Sequence, residues 1–237
     1  MTRIDVDVQE DGAVEVDSKL IPIFSDLIMP DPRVAALIRT GRAPIEENLQ
    51  HVVGQADTLL FRRGALTSSW DEVICAALKE EYGTQIAMTL GVRWGRDILP
   101  GQNITREDLM ALAGGLGLRA AQKILSGRVL KNLLEEHAEQ VFSKDPTLRS
   151  NRDMPRVGGL GFEIDVSAEV GARISQLKVL DTNTPLELDQ SYTVATWDFD
   201  LNSSTGPLLE DLLETYIARR GRVGTERVTK VSLKSTN

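Results

Sequence analysis

The sequence has 237 residues, of which 41% are hydrophobic and 26% charged. This composition is typical of a folded globular protein of one or two domains, and it excludes disordered, collagen-like, coiled-coil and disulfide-rich classes. Thirty-five acidic residues against 27 basic ones give a net charge of −8. We expect no nucleic-acid partner, because binding a phosphate backbone requires clustered cations. We also expect no membrane partner, because no stretch approaches the roughly 20 apolar residues of a membrane span.

The cysteine and histidine content limits redox and zinc chemistry. Cys75 is the single cysteine and lies in an apolar run, which predicts a buried structural thiol and no intrachain disulfide. His51 and His137 lie far apart in the sequence, and no His/Cys spacing suits zinc. The first residues also lack the apolar segment of a secretory signal.

The N-terminal segment predicts a hairpin followed by two helices. Apolar and polar residues alternate over residues 4–8, and Asp11-Gly12 then predicts a turn into a second strand. Pro30-Asp31-Pro32 supplies a cap and an N1 proline for a helix that ends at Gly41. Residues 43–53 are predicted to form a second helix, so that the two helices connect the hairpin to the main domain.

The remaining elements predict an α+β protein with a mixed sheet and packed helices. Ser69 caps a helix that runs to Tyr82, and Thr105 with Asp108 forms a capping-box pattern. Strands interleave with helices without strict alternation, which favours α+β over a doubly wound fold. Further helices are predicted at residues 127–141 and 208–218, and strands at residues 85–90, 160–166, 174–180, 192–197 and 227–231.

Arginine stands beside glycine in three predicted loops, the strongest of which is Gly91-Val92-Arg93-Trp94-Gly95-Arg96. Glycine allows a sharp turn, and guanidinium groups hold planar anions in two-point contact. The other two are Phe61-Arg62-Arg63-Gly64 and Pro155-Arg156-Val157-Gly158. Alternatively, Trp94 anchors a core, Arg96 pairs with Asp97 or Glu107, and the other arginines are solvated.

Other motifs predict no catalytic machinery. Gly114-Gly115-Leu116-Gly117 lacks the Lys-Ser or Lys-Thr of a phosphate loop and is predicted to be a flexible connection. No Gly-X-Ser-X-Gly motif is present. Solvated hairpin or helix faces are predicted for the acidic residues Asp5, Asp7, Asp11, Glu46, Glu47, Glu135 and Glu136.

Several of these segments, in this order, resemble the C-terminal domain of the Sox-pathway thiosulfohydrolases, a group within the 5′-nucleotidase family. The resemblance runs from about residue 48 to the end. The segments that carry it are Leu60-Phe61-Arg62-Arg63-Gly64, Trp70-Asp71-Glu72-Val73-Ile74-Cys75, Gly91-Val92-Arg93-Trp94-Gly95, Leu99-Pro100-Gly101-Gln102-Asn103-Ile104-Thr105-Arg106-Glu107-Asp108-Leu109 and Asp153-Met154-Pro155-Arg156-Val157-Gly158-Gly159-Leu160.

The resemblance implies three parts and a location. Residues 1–30 would be the end of a metallophosphoesterase domain, residues 31–55 a helical linker, and residues 56–237 a substrate-recognition domain like the 5′-nucleotidase C-terminal domain. In the family, a pair of manganese ions in the N-terminal domain activates water, and we expect that domain to lie outside this sequence, with a separate metallophosphoesterase polypeptide as a possible partner. The family also implies a periplasmic location.

The same resemblance assigns the substrate side of the site. Arg93 and Trp94 are carried over as substrate-facing residues, with Arg62, Arg63 and Arg156 as companions. The implied substrate is a cysteine S-thiosulfonate on a sulfur carrier protein, or a small anion. Leu116-Gly117-Leu118-Arg119-Ala120-Ala121 replaces the aromatic segment usual in these enzymes. The alternatives are therefore part of a nucleotide hydrolase and a non-catalytic binding module whose pocket has decayed.

Overall fold

The computed structural model describes residues 1–24, 26–149, 153–198 and 205–234. The polypeptide divides into two compact units, Met1–Glu47 and Asn48–Asn237. None of the described helices is long and apolar enough to cross a membrane.

The first unit contains the predicted hairpin and helix. Strands β1 (Thr2–Val8) and β2 (Val14–Leu20) pair in antiparallel register, with Val6 opposite Val16. Helix α1 (Pro32–Arg42) begins after Asp31, whose carboxylate accepts hydrogen bonds from the first-turn amides of Arg33 and Val34. Both predictions are confirmed. No residue of β1, β2 or α1 is buried, so the apolar side chains of the hairpin remain exposed.

The predicted second helix over residues 43–53 is wrong in extent. Helix α2 covers only Glu46–Leu49, and Val52–Ala56 forms strand β3 instead. Strand β3 pairs with β5 (Asn103–Thr105) on one side and with β12 (Arg222–Val223) on the other. These pairings satisfy its backbone groups, and the β-branched Val52 and Val53 favour a strand.

The predicted fold class, an α+β fold with a mixed sheet, is confirmed by the second unit. Its central sheet has the order β6-β11-β4-β7, in which β4 (Ile86–Gly91) and β11 (Ser191–Asp198) are parallel. Strands β6 (Arg119–Ser126) and β7 (Asp153–Gly158) are antiparallel edges. The predicted loop at Pro155-Arg156-Val157-Gly158 is therefore wrong, because pairing with β4 makes this segment a strand. A second sheet has the order β10-β9-β8-β13 and consists of Leu160–Ile164 (β8), Ile174–Val179 (β9), Thr184–Pro185 (β10) and Lys230–Leu233 (β13).

The helices of the second unit divide the core into two clusters. Helices α3 (Ser69–Tyr82), α4 (Arg106–Leu112) and α6 (Leu209–Arg220) contribute to one cluster, together with Ala87 and Trp197 of the central sheet. Helix α5 (Gly127–Phe142) contributes to the other, with Ile86 and Val194. Because neighbouring residues of a strand point to opposite faces, the central sheet is buried on both sides.

Local predictions in this unit are mostly confirmed. The Thr105 hydroxyl and Asp108 carboxylate form the predicted capping box at α4. Cys75 is fully buried in α3, as predicted, and burial raises the pKa of its thiol.

The cap of α3 is Ser68 rather than Ser69, and the final strand begins at Lys230 rather than at residue 227.

Glu135 does not belong to a solvated face as predicted. It is buried, and its carboxylate accepts hydrogen bonds from the backbone amides of Arg173 (2.9 Å) and Ile174 (3.0 Å). Glu135 therefore attaches α5 to the start of β9. A helical charge pattern cannot reveal this role, because the partner amides lie 38 and 39 residues away.

Candidate anion-binding site

Two of the predicted site arginines are buried around one carboxylate. Asp71, in the first turn of α3, accepts a hydrogen bond from Arg62 Nε at 3.0 Å through Oδ1. Arg156 Nε forms an ion pair with Asp71 Oδ2 at the same distance, and Ser68 Oγ donates to that oxygen at 2.6 Å. These charged side chains are at most 1% exposed. The structure thus gives Arg62 and Arg156 a shared internal counterion.

Both buried guanidinium groups also bind backbone carbonyls. Arg62 Nη1 donates to the Leu112 carbonyl at 2.6 Å, at the last residue of α4, and its guanidinium lies 5.1 Å from the centroid of the Trp197 ring. Arg156 donates to the carbonyls of Ala65 at 2.9 Å and Gly64 at 2.7 Å. Burial lowers the pKa of Arg62, while the adjacent Asp71 opposes that shift. The two arginines therefore hold the loop before α3 against β7 and α4.

Asp153 extends these contacts to the surface. It accepts a hydrogen bond from Arg156 Nη2 at 3.1 Å, and it binds Arg93 through two bonds of 2.7 Å, Nε to Oδ2 and Nη2 to Oδ1. The Arg93 side chain is 54% exposed, whereas that of Asp153 is 13% exposed. Hydrogen bonding to Asp153 raises the pKa of Arg93. We call Arg62, Asp71, Arg156, Asp153 and Arg93 the charge network.

Glycine at position 91 permits the approach of Arg93 to Asp153. Gly91 pairs with Asp153 across β4 and β7, where the register shifts. A Cβ atom at Gly91 would lie 2.4 Å from the Met154 carbonyl oxygen and 2.8 Å from Asp153 Cβ. Any other residue at this position would push β7 away from the loop that carries Arg93.

Trp94 packs against the glycine-rich segment that follows α4. A Cβ at Gly114 would lie 2.7 Å from Trp94 Cε3, and Gly114 has a positive φ of 65°. Trp94 is half-buried against the first core cluster. The segment beginning at Gly114 thus supports the indole next to Arg93, a role that the prediction of a flexible connection does not include.

Arg63 and Arg96 differ from the buried arginines. Arg63 Nε lies 3.7 Å from Asp97 Oδ1, and both side chains are exposed. Arg96 pairs with Asp108, the acidic residue of the α4 capping box, rather than with the Asp97 or Glu107 considered from the sequence. Among the five predicted site residues, Arg62, Arg156 and Arg93 share the charge network, Trp94 adjoins it in sequence, and Arg63 lies outside it.

A cavity of about 240 Å³ is lined by residues of α5 and of the central sheet. Met88, Leu90 and Leu133 form part of its largely apolar wall, and Lys123 and His137 contribute nitrogen groups. His137 Nδ1 lies 2.8 Å from the Leu133 carbonyl oxygen, which can only accept, so Nδ1 carries a proton. Because Leu90 immediately precedes the Gly91 loop, the cavity adjoins the strand end that carries Arg93 and Trp94.

The described residues do not bring together three His, Cys, Asp or Glu side chains that could hold a metal ion. They therefore do not fit the pair of manganese ions that the resemblance implies for the family.

Asp71 and Asp153 are the residues that sequence reasoning missed. The sequence identifies Asp71 only as an acidic residue in the first turn of a helix, and Asp153 only as the residue at the start of a motif. The one feature of the sequence that could have identified them is their position inside the motifs Trp70-Asp71-Glu72 and Asp153-Met154-Pro155-Arg156. Their shared role emerges only when β7, α3 and the Gly91 loop come together.

The fold and site define a mixed α+β domain that exposes an arginine fork on a glycine-flanked loop. The family model described as 5′-nucleotidase, C-terminal domain, matches residues 52–211, and the chain belongs to this family. This confirms the resemblance at the level of the family. A comparison with curated proteins gave no match.

Solved structures share the fold over 86–100% of this chain. The sulfate thiohydrolase SoxB of Thermus thermophilus, solved in complex with glycerol, is 27% identical with a TM-score of 0.88, and the match covers 100% of this chain and 45% of that one. A 5′-nucleotidase precursor, also from Thermus thermophilus, is 19% identical with a TM-score of 0.74, covering 99% and 50%. The NAD nucleotidase of Haemophilus influenzae is 17% identical with a TM-score of 0.62, covering 86% and 42%. The chain thus spans about half the length of the structures it matches.

Proposed function

We propose that this domain recognises the anionic end of a substrate for a thiosulfohydrolase-like enzyme. The observation that carries the proposal is the exposed guanidinium of Arg93, held beside Trp94 on the glycine-flanked loop. A guanidinium presents several N–H groups in one plane and binds sulfonate, phosphate or carboxylate oxygens in two-point contacts. The substrate we favour is a cysteine S-thiosulfonate on a sulfur carrier protein.

The buried arginines take an indirect part in this proposal. Arg62 and Arg156 are buried and donate to backbone carbonyls, so we assign them to supporting the loop and β7 rather than to contacting the substrate. Arg63 is exposed and loosely paired, and it adds positive charge near the loop before α3. Arg93 and Trp94 remain the residues proposed to contact the anion and the group attached to it.

Hydrolysis itself is assigned to a metallophosphoesterase domain, in the same polypeptide or in a separate one. The first unit offers a surface for it, because Ile4, Val6, Val8, Val14 and Val16 are all exposed on the hairpin. Register partners Val6–Val16 and Val8–Val14 lie on one face, and a contiguous apolar face is stabilised when another protein segment covers it. We propose the periplasm as its location, in line with the family resemblance.

Calorimetric titration with thiosulfate tests the proposal. The wild type is expected to bind, and Arg93→Ala is expected to weaken binding about tenfold or more, because a charge-assisted two-point contact contributes at least about 1.4 kcal/mol. Arg63→Ala is the control, since it also removes one exposed arginine, and it should change affinity by less than about threefold. Equal binding by wild type and Arg93→Ala would contradict the proposal and favour a module with a decayed pocket.

A nucleotide is the second candidate ligand, because Trp94 places an indole next to Arg93 and aromatic faces stack on nucleobases. Leu116, in the segment that replaces the usual aromatic residues, offers no second ring. Titration with AMP separates the two candidates. Tight AMP binding that Trp94→Ala abolishes, without thiosulfate binding, would favour the nucleotide.

A further inference from the structure

Asp153 binds one particular edge of the Arg93 guanidinium. Its two carboxylate oxygens accept from Nε and from Nη2, each at 2.7 Å. A guanidinium has five N–H groups in one plane, and this side-on contact uses two of them. The edge formed by Nη1 and the second N–H of Nη2 faces away from Asp153. Within the described ranges, no other residue contacts Arg93 by hydrogen bond or ion pair.

The carboxylate of Asp153 is itself fixed from the protein interior. Oδ2 accepts from Arg156 Nη2 at 3.1 Å, and Arg156 is fully buried against Asp71. Gly91 brings the β7 backbone into close contact with the loop of Arg93. The orientation of an exposed side chain is thus set by groups that cannot move without disturbing the core, and Arg93 loses less conformational entropy when it binds a ligand.

We infer that Asp153 is a specificity-determining residue, which orients Arg93 so that its Nη1–Nη2 edge selects anions with two suitably spaced oxygens. The inference rests on the proposed function, because it concerns the same anion site. Two effects would produce the preference for two-oxygen anions. A two-oxygen anion forms two directional bonds with the open edge, and the negative charge of Asp153 offsets the charge of Arg93 that would attract any anion. Sulfonates, phosphates and carboxylates satisfy the edge, whereas spherical halides do not.

The test compares methanesulfonate with bromide, two monovalent anions, at constant ionic strength. Binding is followed through the NMR signal of the Trp94 indole N–H, assigned with Trp94→Phe. The wild type should bind methanesulfonate about tenfold more tightly than bromide. Asp153→Asn removes the charge and one acceptor oxygen, so the affinity for bromide should rise and the ratio should fall to below about threefold.

Asp97→Asn is the matched control, because it changes the net charge equally beside another exposed arginine, Arg63. It should leave the ratio unchanged. Arg93→Lys is a second test that keeps the charge without a planar fork, and it also should lose the preference for methanesulfonate. It applies even if Asp153→Asn fails to fold.

Each outcome decides the inference. If Asp153→Asn or Arg93→Lys keeps the tenfold preference, Asp153 does not set specificity, although anion binding at Arg93 stands. If the wild type binds methanesulfonate no better than Arg93→Ala, the proposed function fails and the inference fails with it.

Discussion

The two ends of the charge network contain the same residue types in different surroundings. At the inner end, Arg62 and Arg156 share Asp71, and these side chains are at most 1% exposed. At the outer end, Arg93 pairs with Asp153 and remains 54% exposed. A buried charge left without its partner destabilises a protein strongly, whereas an exposed pair contributes little. Burial, rather than the local sequence motif, therefore separates a structural arginine from one that is available to a ligand.

The largest effect is expected at the inner carboxylate. Asp71→Asn removes the charge that compensates two buried guanidinium groups, so the free energy of unfolding should fall by about 3–5 kcal/mol. Urea denaturation of the purified variant measures it. Asp97→Asn, at an exposed pair, should cost less than about 1 kcal/mol. Equal losses in the two variants would show that burial does not distinguish the two ends.

A smaller effect is expected where the two ends are joined. Gly91→Ala places a Cβ atom 2.4 Å from the Met154 carbonyl oxygen, so β7 must shift and the unfolding free energy should fall by about 1–3 kcal/mol. The shift would also separate Asp153 from Arg93 and lower the preference for methanesulfonate.

Gly41→Ala is the control for Gly91→Ala. It lies in α1 with no atom within 4 Å of the added Cβ, and it should not lower the melting temperature. If Gly91→Ala is as stable as the wild type and keeps the preference for methanesulfonate, Gly91 does not connect the inner and outer ends of the charge network.

The smallest effect is expected at an ion pair outside the charge network. Lys234 donates to Asp165 at 2.8 Å and, with further hydrogen bonds from Ser167, lowers the pKa of Asp165 to about 2. Because the pKa is lower in the folded state, this contribution to stability is present above about pH 4 and is lost as the pH falls toward 2. Lys234→Met should raise the pKa of Asp165, measured by NMR titration, while the Ser167 bonds keep it below about 3.9. An unchanged pKa would contradict the assigned cause.

Local signals predicted the helices better than the strands. The capping box located the start of α4, and the predicted cap of α3 was one residue from the observed one, because caps depend on residues within one turn. No local pattern indicated β6, since Arg119–Ser126 lacks alternation and contains a single β-branched residue, Ile124. Its strand conformation depends on eight paired positions along β11, about 70 residues away.

The candidate site was only partly predictable, because local motifs are visible in the sequence and distant contacts are not. Arginine beside glycine identified two of the three predicted loops, since Arg156 lies in strand β7 instead. The residues that decide each arginine's role are distant in sequence. Asp153 lies 60 residues from Arg93, and Leu112 lies 50 residues from Arg62. Which arginine is buried depends on these tertiary contacts, and no local motif encodes them.

The rate at which Cys75 reacts with a thiol reagent reports on the opening of the protein at the inner end of the charge network. The thiol is fully buried in α3, and a Cβ at Gly158 of β7 would lie 2.7 Å from Cys75 Cβ. Since the raised pKa also keeps the sulfur protonated, a thiol reagent reacts only with molecules in which α3 has separated from β7. Because Cys75 is the single cysteine, its labelling rate measures how often α3 separates from the sheet that contains Arg156.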